Sequence, residues 1–138
     1  MPGKKTKLIL DTNIWISFII SDRLKYLDNT ILRADIQLLF SEELIEEFII
    51  VSRRAKFAEF FKDKDIEKLL RLFRIYGVLY KTKSQIKICR DSKDNFLLSL
   101  AINSGADYLA TGDKDLLEIR KVGKTMIISL HELEEILK

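Results

Sequence analysis

Lys7-Leu8-Ile9-Leu10-Asp11-Thr12-Asn13-Ile14-Trp15-Ile16 is the stretch whose reading decides the fold. A short apolar run ends in an acid, and a new apolar segment follows at once. A run of that length bounded by a charge reads as a buried strand that delivers Asp11 to the rim of a sheet. The same grammar returns near the other end of the chain, where Tyr108-Leu109-Ala110 precedes Thr111-Gly112-Asp113-Lys114-Asp115. Two strands ending in acids imply a carboxylate cluster, and such a cluster calls for a cation.

Outward from these two points, strands and helices alternate. Lys7–Leu10 reads as a strand and Asn13–Ile20 as a helix, with Thr12 and Asn13 as the residues that lead into it and Asn13 as a candidate N-cap. Leu24, Leu27, Ile31 and Leu32 give Arg23–Arg33 a helical spacing. Ile36–Phe40 is a second strand, and Ser41 caps a helix over Glu42–Arg53. Ile66, Leu69, Leu70 and Phe73 share one face of a helix over Asp63–Tyr76, which Gly77 ends. Strands follow at Val78–Tyr80, Tyr108–Ala110 and Met126–Ile128, with helices over Asp91–Ser104 and Leu130–Leu137. Parallel strands joined through helices require right-handed crossovers. The expected fold is a three-layer α/β/α sandwich around a central parallel sheet of about five strands, in one domain spanning 1–138. In such sheets ligands bind beyond the carboxyl ends of the strands. Asp11 and Asp113 would both lie on that edge.

Two further acids belong to the argument. Asp94 shares a helical face with Leu97, Leu98 and Ala101, and a carboxylate leaning towards a core is costly unless paired or metal-bound. The alternative is a capping role in the first turn, which Asp91 fills more naturally, with a possible supporting part in the site. In the Ser41 helix, Leu44, Ile45, Phe48, Ile49 and Val51 form the apolar face. Glu47 lies at its border and Glu46 further away, so Glu47 is the better candidate, set against an ordinary solvated glutamate. Asp113 and Asp115 can equally be turn formers around Gly112, and Thr111 a plain strand-end residue. Convergence on one rim favours a site: close carboxylates repel, and Mg2+ or Mn2+, which prefer hard oxygen ligands, would relieve them. Such ions activate water and stabilise charge on a phosphate, so phosphodiester hydrolysis is the natural chemistry.

These segments resemble the PIN-domain nucleases. Leu10-Asp11-Thr12-Asn13 is similar to the family's N-terminal acid motif. Ser41-Glu42-Glu43-Leu44-Ile45-Glu46-Glu47-Phe48 resembles its second segment, with Glu47 on the catalytic glutamate. The stretch from Asp91 to Ala101, with Gly105-Ala106-Asp107-Tyr108-Leu109, resembles the third, with Asp94 on the catalytic aspartate. Thr111-Gly112-Asp113-Lys114-Asp115-Leu116-Leu117 resembles the fourth, with Asp113 as a metal-site acid and Asp115 beside it. The nearest likeness is to the VapC-like toxin components of toxin–antitoxin systems. That branch often has proline before lysine after the second helix, where this chain has Ser52-Arg53-Arg54-Ala55-Lys56-Phe57, a departure that touches no expected catalytic residue. The resemblance implies a metal-dependent endoribonuclease on single-stranded RNA leaving 5′-phosphate and 3′-hydroxyl ends. It further implies a homodimer and a cognate antitoxin whose tail covers the site.

Composition bounds the alternatives. Net charge is +3; if Asp11, Glu47, Asp94, Asp113 and Asp115 gather in one site, the other sixteen acids face 24 Lys and Arg, a balance of +8 that suits a polyanion. Arg53 and Arg54 are the first candidates for RNA contact, ahead of Lys56 and of Lys62, Lys64, Lys68, Arg71 and Arg74, most of which read as a solvated face. The single histidine, His131, excludes a two-histidine ribonuclease, and the single cysteine, Cys89, excludes an internal disulfide. No apolar stretch is long enough to span a membrane, so a cytoplasmic protein is the simplest reading. An aspartate-based phosphotransfer enzyme competes, but it would want an acid where Asn13 stands. A catalytically silent PIN-like RNA-binding or interaction module is the other competitor.

Overall fold

The computed structural model describes residues 5–20, 35–57, 59, 63–81 and 92–137, with some side chains inside helices left outside that description, Asp94 among them. The expected helix over Arg23–Arg33, together with Lys62, Cys89 and Asp91, lies outside the described residues.

The chain runs β1 (Thr6–Leu10), α1 (Thr12–Ile20), β2 (Ile36–Phe40), α2 (Glu42–Ser52), α3 (Asp63–Tyr76), β3 (Gly77–Leu79), α4 (Ser92–Ser104), β4 (Tyr108–Ala110), α5 (Lys114–Ile119), β5 (Lys121–Val122), β6 (Thr125–Ile128) and α6 (Leu130–Ile136), with a 3-10 turn at Ala55–Phe57. The strands form one sheet in the order β3-β2-β1-β4-β6-β5. β1, β2, β3, β4 and β6 are mutually parallel along the sheet, and β5 pairs antiparallel with β6. Helices flank this sheet, as the alternating pattern requires.

β1 is central because both its faces are apolar. Leu8, Ile9 and Leu10 are all buried, which only a strand covered by helices on both sides allows. Each such side chain contributes roughly 1.5–3 kcal/mol on burial. Beneath the helices on the β2 side, Trp15, Phe40, Phe48 and Phe73 pack together, with ring centroids of Phe40 and Phe73 4.5 Å apart. Gly77 starts β3 rather than merely ending α3. A Cβ there would collide with the Phe40 ring and the Phe73 carbonyl, so the position is glycine for want of space.

Three features depart from the sequence reading. β3 lies at Gly77–Leu79, one residue earlier than expected. Asp113 and Asp115, which the sequence offers as turn formers, instead open α5: Asp113 caps it, its carboxylate accepting the Asp115 N–H at 2.8 Å. The sheet gains β5 through a two-residue hairpin over Gly123 and Lys124, where Gly123 takes φ +57°, as such tight turns demand at their first position. β5 is two residues long and has no alternating pattern to announce it.

The chain order fixes the site. β1 continues outward through β2 to β3, then the chain crosses back and lays β4 on the other side of β1. Leu10 pairs with Ala110, so the residues following both strands emerge side by side at the carboxyl edge. That is the topological switch point. Asp107 occupies the opposite edge as a staple: its Oδ2 accepts the Lys7 N–H at 2.8 Å, and Lys124 Nζ lies 3.6 Å from its Oδ1.

Candidate active site

Asp11 follows β1 and stands immediately before α1. Its carbonyl accepts the N–H groups of Ile14 and Trp15 at 2.9 and 3.3 Å, while its carboxylate accepts the backbone N–H groups of Thr12 and Asn13. Asp11 is therefore the cap of α1, the place that the sequence reading offered to Asn13, which is exposed inside the first turn. The reason is local: an acid at the strand end meets the free N–H groups of the helix behind it.

Asp11 is 6% exposed. Thr111 Oγ1 donates to its Oδ2 at 2.7 Å and accepts the Asp113 N–H at 3.1 Å. The two strand-end motifs are thus joined through one buried hydroxyl. Burial pushes the Asp11 carboxyl up from its ordinary value; the bonds from Thr111 and the Thr12 and Asn13 backbone oppose this, and the Asp113 charge adds to it. Among the described residues the charge that acts on Asp11 has its own sign. Thr12 Oγ1, buried beside it, has no hydrogen-bond partner among the described residues.

The remaining candidates fall as follows. Asp113 is half-buried, and Asp115 is exposed in the first turn of α5. Glu47 is half-buried on α2, and Glu46 exposed. Asp94 lies in the first turn of α4, whose Leu97, Leu98 and Ala101 are buried, but its side chain lies outside the description, as does the whole of Asp91. So the structure brings Asp11, Thr111 and Asp113 together; among the described residues no three His, Cys, Asp or Glu side chains form a group that could hold a metal. The local donor set still fits a hard divalent cation: two carboxylates of like charge, one of them buried, with a buried unpartnered hydroxyl alongside.

Arg53 and Arg54 separate in space. Both are exposed, but Arg53 is the C-cap of α2 whereas Arg54 lines a groove of about 250 Å³ that Glu47 also lines. Phe96 of α4 forms its other wall. The sequence reading missed Phe96 and Ile50 here. A signal existed: residues 43, 46, 47, 50, 51 and 54 follow helical spacing and share one face.

A family model described as PIN domain matches residues 7–115 of the chain. A protein of Methanocaldococcus jannaschii, described as "Uncharacterized protein MJ1680", is 28% identical over 134 residues, an alignment covering 91% of this chain and 82% of the relative. No helix among the described residues is long and apolar enough to cross a membrane.

Proposed function

Because the chain belongs to the PIN-domain family, whose members are generally nucleases, we propose that it is a metal-dependent endoribonuclease of single-stranded RNA, acting as the toxin of a toxin–antitoxin pair. The observation that carries the reading is the bridge Asp11–Thr111–Asp113 at the switch point of the sheet. A phosphotransfer role for Asp11 is the weaker fit. A nucleophilic carboxylate needs an open face, and this one is buried and held by a hydroxyl and two backbone N–H groups.

Asp11 and Asp113 would hold Mg2+ or Mn2+, with Asp94, Glu47 and Asp115 as the further acids of the set. The ion when bound supplies a Lewis acid at the scissile phosphate and eases deprotonation of the attacking water. Thr111 fixes the direction of the Asp11 carboxylate, and Thr12 offers a further oxygen beside it. Asn13, in the first turn of α1, and Asp91 would be supporting residues. Water adds to phosphorus, the bond to the 3′ oxygen breaks, and the products carry 5′-phosphate and 3′-hydroxyl ends. Arg54, which lines a groove with Glu47, would contact the RNA strand. In this reading the protein works in the cytoplasm as a homodimer restrained by its antitoxin.

End-labelled single-stranded RNA incubated with the purified protein tests this. Cleavage is expected with Mg2+ or Mn2+, none with EDTA, and none with Asp11→Asn in either. Cleavage that survives EDTA or Asp11→Asn would overturn the metal-site reading. RNA binding without any cleavage would leave a binding module instead.

A further inference from the structure

The groove between α2 and α4 has an apolar wall that the nuclease reading does not use. Its protected wall is Val51, which is buried, and Phe96, which is half-buried. Ile50, 64% exposed, extends that apolar wall to the surface. Exposed polar groups stand at the rim, Glu43, Glu46 and Arg54, and half-buried Glu47 lies further in. Arg54 reaches the rim because its N–H bonds the Val51 carbonyl at 3.1 Å, a tight turn that continues the helical stripe past the end of α2. Glu47 lines the same groove, which makes the groove continuous with an acid assigned to the catalytic set.

We propose that this groove seats one nucleobase of the RNA strand beside the scissile phosphate, and that it favours bases carrying an exocyclic amino group. The inference rests on the nuclease reading for its substrate class. About 250 Å³ falls below the roughly 300–1,000 Å³ of pockets for drug-sized ligands and suits a single planar base. An aromatic wall with an apolar neighbour is the means by which single-stranded nucleic acid is gripped, because every base has a stacking face. The rim supplies edge recognition: carboxylates accept from base amino groups, and a guanidinium donates to ring nitrogens and carbonyls. Glu43 and Glu46 on that rim would repel a phosphate, so the charge pattern selects the base rather than the backbone for this groove. Uracil, which has no amino group, fits the rim least well.

The test measures binding in an Asp11→Asn background with Mg2+, using fluorescein-labelled hexa-adenylate, hexacytidylate and hexauridylate. Hexauridylate is expected to bind several-fold more weakly than the other two. Phe96→Leu, which keeps apolar bulk and loses the ring, should lower affinity for hexa-adenylate and hexacytidylate roughly tenfold. It should leave the salt dependence unchanged, since no phosphate contact is lost. Ile50→Ser, at an exposed position, should weaken the same two ligands several-fold, and it carries the test alone if Phe96→Leu melts early. Equal binding of all three hexamers, unchanged affinity in both variants, or no measurable binding overturns the inference. Cleavage by the parent, followed in parallel, separates the two readings. A parent that cleaves while both variants bind as before sinks the base pocket only. A parent that never cleaves while Phe96→Leu loses affinity sinks the nuclease reading only.

Discussion

Replacing Asp11 with asparagine removes one charge and keeps the shape. The amide oxygen can still accept from Thr111 Oγ1, now 2.7 Å from Oδ2, or from the backbone at the start of α1. What disappears is a buried carboxylate repelled by Asp113. Burial raises its folded-state pKa above the ordinary 3.8, so the folded protein holds this proton more tightly than the unfolded chain does. The stability linked to that proton is complete below the unfolded value and is lost as pH rises through the raised folded value. Above that raised value, without divalent ions, the folded parent carries the whole cost. Asparagine should relieve it, by roughly 0.5–2 kcal/mol, the gain common when a functional site is relaxed. In a domain of this size that is about 2–6 °C in Tm. A divalent ion should reverse the order: at 100 times its Kd it adds about 2.7 kcal/mol to the parent and little to the variant. Thermal unfolding in EDTA and in Mn2+ would therefore cross, with the variant higher in the first and the parent in the second. An asparagine variant that melts below the parent in EDTA and gains as much from Mn2+ refutes the buried-ligand argument.

Other outcomes follow from the same geometry. Thr111→Val leaves the Asp113 N–H and one Asp11 oxygen without their bridge, and should cost about 1–3 kcal/mol in urea unfolding while lowering cleavage further than stability alone explains; Thr111→Ser should restore both. Asp113→Asn keeps a competent cap for α5, so its helix content should hold while cleavage falls ~100-fold or more. Asp115→Asn, at an exposed position whose bond to Asp113 uses only its backbone N–H, should cost under about tenfold in cleavage, a smaller effect than removing a direct ligand. Gly77→Ala forces a Cβ against Phe40 and the Phe73 carbonyl, and should lower stability by about 1–3 kcal/mol, read from the denaturation midpoint.

Much of this fold is legible in the sequence where patterns are local. β2 and β4 fall on the residues expected of them, and the Ser41 cap is seen in its hydroxyl accepting the Leu44 N–H at 3.2 Å. Ser129 likewise forms a full capping box with Glu132. What the sequence hides has physical reasons. β5 is too short for any periodicity to develop, and it exists because a glycine turn folds it back on β6. α5 is six residues long, below the length at which an apolar stripe becomes readable, and its cap is an acid already claimed by the site pattern. Gly77 looks like a helix stop, yet its necessity comes from an aromatic ring on another strand.

The sequence by itself determined that acids stand at the ends of two apolar runs, because burial on both faces of a parallel strand demands such runs and a charge ends them. It also determined the order of helices and strands, through caps and spacing that act within a few residues. Only the tertiary structure decided that the two runs are neighbours. β1 and β4 are about a hundred residues apart in the chain, and their pairing depends on the crossover that reverses the strand order. From that pairing comes the Thr111 bridge, the charge of Asp113 on a buried Asp11, and the assignment of Arg54 rather than Arg53 to the groove beside Glu47. Proximity between distant segments is set by packing the whole sheet, and no local pattern in the chain encodes it.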